Sequence, residues 1–183
     1  EPGTVIAADL ARSGRFAPMP FEDLPSRPSD PGQVNFRDWS LIGMDNLVIG
    51  RVVPTAPGQY EIEFRLLNVY NGRLLAGYKI PASDRTMRLA AHQIADIIYE
   101  KLTGQKGAFA TRVAYVTAEG KGDPKNRGRG RTYRLVLADA DGYNARVMVE
   151  SKEPLLSPAW SPDGRRIAYV SFEKGNSAIW VQD

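Results

Sequence analysis

The chain has 183 residues, 43% of them hydrophobic and 25% charged, and no cysteine. Those are the proportions of an ordinary folded protein of one or two domains, so wholesale disorder is set aside. Disulfides and thiolate metal sites are excluded outright. No run approaches the roughly 18 consecutive apolar residues of a membrane-spanning helix. No signal-peptide pattern is present either, which fits a mature or trimmed chain. The net charge of +3 is local in origin: residues 121–134 carry six basic side chains against Asp123, which leaves the rest of the chain at −2.

In chain order, Thr4 to Ser13 reads as a helix with Ile6 and Leu10 on one face and Gly14 placed to end it. Residues 17–33 hold five prolines and read as a surface connection. Asn35 to Leu41 is a short helix bearing Trp39, stopped by Gly43. Asn46 to Val53 is expected as a buried strand and Pro54 to Gly58 as its turn. The next run alternates, with Tyr60, Ile62, Phe64 and Leu66 facing inward. Asn71-Gly72 signals a hairpin that returns through Leu74 to Ile80. Ser83 or Asp84 then caps a helix reaching about Leu102, with Gly104 after it and a core face of Ala91, Ile94, Ala95, Ile98 and Leu102. The sum is an α/β domain over 1–108, a small antiparallel or mixed sheet with two or three helices.

The remainder repeats itself. Arg112-Val113-Ala114-Tyr115-Val116-Thr117 matches Arg166-Ile167-Ala168-Tyr169-Val170-Ser171 position by position, and Arg134 to Asp139 matches Ala178 to Asp183. The offsets are 54 and 44 residues, so the first copy carries a ten-residue insertion between its strands. Without it the period falls within the roughly 40–45 residues of a four-stranded propeller blade. Ser161-Pro162-Asp163-Gly164 has the residues of a type I turn. The run after it, Ile167 to Val170, is apolar throughout and is expected to be covered on both faces, as in a blade held between neighbours. Residues 109–183 therefore read as the start of a β-propeller, about one and a half blades. The first copy lacks an innermost strand upstream, so that strand is expected beyond Asp183, in a longer protein.

Several segments together carry a family resemblance. They are Ala8-Asp9-Leu10-Ala11-Arg12-Ser13-Gly14-Arg15-Phe16, Ile49-Gly50, Glu100-Lys101-Leu102-Thr103-Gly104, Lys106-Gly107-Ala108-Phe109, Asp141-Gly142-Tyr143-Asn144 and Ser157 to Gly164. In them the chain resembles the TolB family, periplasmic components of the Tol–Pal envelope system of Gram-negative bacteria. The resemblance implies an N-terminal α/β domain, similar to anticodon-binding domains, followed by a six-bladed propeller. It also implies a periplasmic scaffold that is not an enzyme and uses no cofactor. Such a scaffold binds the peptidoglycan-associated lipoprotein Pal through the propeller and TolA through an N-terminal tail. Bacteriocins and outer-membrane proteins are further partners it implies; nucleic acid and direct membrane insertion are not. The first strand and the tail would precede Glu1, and most of the propeller would follow Asp183.

Candidate sites are few. His92, the one histidine, lies on the long helix with Asp96 within side-chain reach and has no nucleophile beside it, so a structural or surface role is expected. Asp139, Asp141 and Glu150 fall at positions 1, 3 and 12 of a calcium-loop pattern, but Asn144 stands where that loop needs glycine, and Asp141-Gly142 reads better as a turn. Trp160, Tyr169 and Trp180 recur with the repeat and are expected in blade cores. Lys121, Lys125, Arg127, Arg129 and Arg131 form a glycine-rich basic insertion, read as a solvated loop with an acidic partner as its functional alternative. Thr103, Gly104, Lys106, Gly107 and Phe109 form the joint between the domains, where coupling between partners is expected to pass. Two competing functions are weighed: a propeller gating an oligopeptidase-type serine hydrolase, which needs a Gly-x-Ser-x-Gly segment absent here, and an RNA-binding module resting on the anticodon-like domain that the resemblance implies and on the basic insertion.

Overall fold

The computed structural model describes residues 2–121 and 130–183. The chain divides into two compact units, Glu1–Ala110 and Thr111–Asp183. Each has its own core.

In the first unit, helix α1 (Pro2–Arg12) is followed by two 3-10 turns in the proline-rich segment and by the short helix α2 (Phe36–Leu41). Three strands, β1 (Asn46–Ala56), β2 (Gln59–Asn68) and β3 (Leu74–Ser83), form a sheet in the order β1-β2-β3. Helix α3 (Met87–Thr103) closes the unit. Both strand pairings are antiparallel, one of the two arrangements expected from sequence. The reason is connectivity: short turns join consecutive strands, and such turns cannot link parallel neighbours.

α3 packs on one face of the sheet, over β3 and β2, and α1 packs against α3. Ile62, Phe64 and Leu66 meet Ile94, Ala95, Ile98, Ile6 and Leu10 there. The alternation of β2 is thus read correctly, although Tyr60 is only half-buried. β1 is not the buried strand its composition suggests. It lies at the sheet edge outside the helical layer, so Val48 and Val52 are 37% and 40% exposed. On the opposite face, Trp39 of α2 packs on Leu47, Ile49, Leu67 and Val69, with Leu24 and Val34 of the proline-rich segment beside it. Gly50 allows β1 and β2 to close together, since a Cβ there would run into the Glu63 carbonyl and sit 3.2 Å from the Phe64 Cα.

The second unit is two antiparallel meanders. Strands β4 (Arg112–Glu119), β5 (Thr132–Asp139) and β6 (Arg146–Ser151) make the first sheet, and β7 (Leu155–Trp160), β8 (Ile167–Ser171) and β9 (Ala178–Gln182) the second. The repeat seen in sequence is a repeat of structure: β4 and β8 correspond, as do β5 and β9. β8 has no exposed residue, as its unbroken apolar run predicts. Leu135 of the first sheet shares a core with Leu155, Ile167 and Tyr169 of the second, flanked by Trp160 and Trp180. Two sheets joined by large side chains, with no closed barrel among the described residues, is the packing of propeller blades.

Candidate functional site

The joint is the most tightly built of the sequence-predicted sites. Gly104 ends α3 with φ 74°, and its N–H donates to the Glu100 carbonyl at 2.8 Å. Thr103 Oγ1 donates to the Tyr99 carbonyl at 2.7 Å and accepts from the Gln105 N–H at 3.2 Å. Beyond them the chain turns back along α3, with Phe109 half-buried against Tyr99 at a ring separation of 5.7 Å, edge to face. Asp96, which sequence places beside His92, instead accepts the Phe109 and Ala110 N–H groups, at 2.7 Å and 3.0 Å. Lys106 is exposed.

His92 has a different partner. Its Nδ1 lies 2.5 Å from Asp9 Oδ2 on α1, and the two side chains are 2% and 1% exposed. Asp9 Oδ1 also accepts from Arg12 at 2.7 Å. This is the structural one of the two roles expected of His92, made with a residue 83 positions away. A signal for it exists in the sequence: Asp9 shares the face of Ile6 and Leu10, and a carboxylate on an apolar helical face needs a buried partner.

Of the basic insertion, Lys121 and Arg131 are exposed, and Lys125, Arg127 and Arg129 lie outside the described residues. The calcium-loop residues converge only in part: the Asp139 and Asp141 carboxylates lie within 4.8 Å of each other, and Glu150 stands apart. Asp139 Oδ2 accepts from Asn144 Nδ2 at 2.7 Å, and Asp141 Oδ1 accepts from the Tyr143 N–H at 3.0 Å. Glu150 sits opposite Arg134, whose guanidinium holds its carboxyl below the usual range. Arg134 is five residues back along β5 from Asp139, about 17 Å at strand rise, too far for one ion.

The Ser161–Gly164 turn forms as read. The Gly164 N–H donates to the Ser161 carbonyl at 2.9 Å, and Gly164 has φ 66°. The Ser161 hydroxyl donates to Asp163 at 2.5 Å and accepts from the Arg166 N–H at 2.9 Å. That hydroxyl, then the Arg165 N–H, keeps the Asp163 carboxyl below its ordinary range. Beside this turn is a cleft of about 410 Å³ lined in part by Arg112, Asp139, Asn144, Arg146, Trp160 and Arg165. Arg112 crosses it, stacking over the Trp160 ring at 4.9 Å and donating to the Gly164 carbonyl at 3.2 Å. Trp160 and Trp180 therefore serve the blade packing expected of them.

An α/β unit in series with blade-like sheets defines a propeller protein with an N-terminal accessory domain. Residues 2–75 match the TolB amino-terminal domain model and residues 99–183 the TolB beta propeller domain model. The chain belongs to the TolB family. It is 49% identical over 181 residues to the Tol-Pal system protein TolB of Nitrosococcus oceani and 48% identical over 181 residues to that of Thioalkalivibrio sulfidiphilus. These alignments cover 98% and 99% of this chain, and the chain spans 40% of the length of each relative. The crystal structure of TolB from Acinetobacter baumannii is similar with a TM-score of 0.84 at 35% identity, covering 99% of this chain and 43% of that one.

Proposed function

We propose that this chain is part of a non-enzymatic periplasmic scaffold of the Tol–Pal system. In the full-length protein the propeller docks the lipoprotein Pal and an N-terminal tail docks TolA. The observation that carries this reading is that both TolB domain models match in series along one chain. Identities near one half over almost the whole chain to proteins named for the Tol–Pal system support it further. Coupling follows if the tail is held in one state and released in another, because binding one partner then changes the affinity for the next. The basic insertion around Lys121 and Arg131 would add an electrostatic contact to an acidic partner, weakened by salt.

The test is a pull-down from envelope extract with the full-length protein as bait. Recovery of Pal, identified by mass spectrometry, is the expected result. Its consistent absence, with the bait folded, would overturn the scaffold reading.

A further inference from the structure

We propose that Asp96 is a positioning residue that clasps the exit segment 105–110 onto α3. The chain then leaves the first unit from a fixed point and not through a free tether.

Three observations converge. Both carboxylate oxygens of Asp96 are used on the exit segment, one accepting from Phe109 N–H and the other from Ala110 N–H. An ionised acceptor bound twice in this way holds two consecutive peptide groups in one orientation. Gly107 lies so close to α3 that a Cβ on it would meet the Asp96 carboxylate and come within 2.7 Å of the Asp96 Cα. The segment is therefore shaped to the helix, and no larger residue fits. Finally, Phe109 packs edge to face on Tyr99, which packs in the same way on Phe16 at 6.0 Å. Phe16 follows α1 in the chain, so the exit segment and the end of the first helix share one aromatic stack.

The first unit therefore holds its chain in place as far as Ala110. Under the scaffold reading, on which this last step rests, a partner that displaces α1 would pull Phe16 from Tyr99 and loosen the clasp. The clasp itself is independent of any partner.

Lys106-Gly107 is a tryptic site inside the segment, and its cleavage reports how often the segment opens. In the full-length protein, cleavage after Lys106 would be followed by mass spectrometry, with cleavage after Arg65 on β2 as the measure of general unfolding. The wild type should be cut slowly after Lys106. Asp96→Ala and Gly107→Ala should each speed that cut about tenfold or more at an unchanged Arg65 rate, and Phe16→Ala should speed it to a smaller extent. The proposal fails if both of the first two variants leave the Lys106 rate unchanged, or if they raise it only in proportion to Arg65. It fails equally if the wild type is cut after Lys106 as fast as a free peptide. Because no partner enters this assay, its outcome is separate from that of the Pal pull-down.

Discussion

Asp9 and Asp96 are both carboxylates on or beside the packed face of α3, yet they do different things. Asp9 is buried, tied to His92 and Arg12. A buried pair of this kind is costly to break and adds little over an apolar substitute, because desolvating both groups offsets their attraction. We expect Asp9→Ala to lower stability by about 3–5 kcal/mol, since it removes the buried carboxylate that both His92 and Arg12 contact. Asp9→Leu combined with His92→Leu should recover most of that loss. Urea denaturation of the two variants checks the pair, and equal losses would show that the polar contact is not what holds α1 to α3. Sequence shows Asp9 and His92 on apolar helical faces but not that they face each other. His92 and Asp96, four apart on one helix, are the nearer pair on paper; α1 docking decides otherwise.

The sheet of the first unit carries its charges on the face away from α3. Glu63 accepts from Lys79, at 2.7 Å, and from Arg51, at 2.8 Å, across both neighbouring strands. Lys79, and then Arg51, holds its carboxyl below the usual range. A carboxyl lowered on folding stabilises the protein above its unfolded value and loses that contribution as pH falls through the folded value. Glu63→Gln should therefore melt below the wild type at neutral pH, with the gap closing as pH drops under about 4. Melting temperature measured against pH tests this. A gap that persists in acid would point to packing and not charge. Alternation in β2 was legible because one face is covered; β1 misled because its residues are apolar while its position is at an edge. Composition reports what a strand tolerates, and only strand order reports what covers it.

Each unit has a core of its own. Ile94, fully buried in the first, packs among α1, α3, β2 and β3, whereas Leu135, fully buried in the second, packs between the two sheets. Truncating either leaves a cavity worth about 2–5 kcal/mol. In scanning calorimetry we expect Ile94→Ala to lower the transition of the first unit by several degrees and Leu135→Ala that of the second. If both variants shift a single common transition, the units unfold as one.

The local chemistry of this chain was enough to set the C-terminal ends of α1 and α3, the Ser161–Gly164 turn and the doubled blade motif; it misplaced the start of α3, where Thr86 and not Ser83 or Asp84 stands at the N-cap. Gly14, Gly104 and Gly164 stop or turn the backbone wherever they sit, and a 44-residue echo needs no coordinates to be seen. Long-range choices were left to folding: which helix Asp9 would meet, that Asp96 would hold residues 109 and 110, that β1 would lie outside the helical layer. Each depends on two segments far apart in the chain arriving at one place, and a side chain on a single helix or strand carries no record of that arrival.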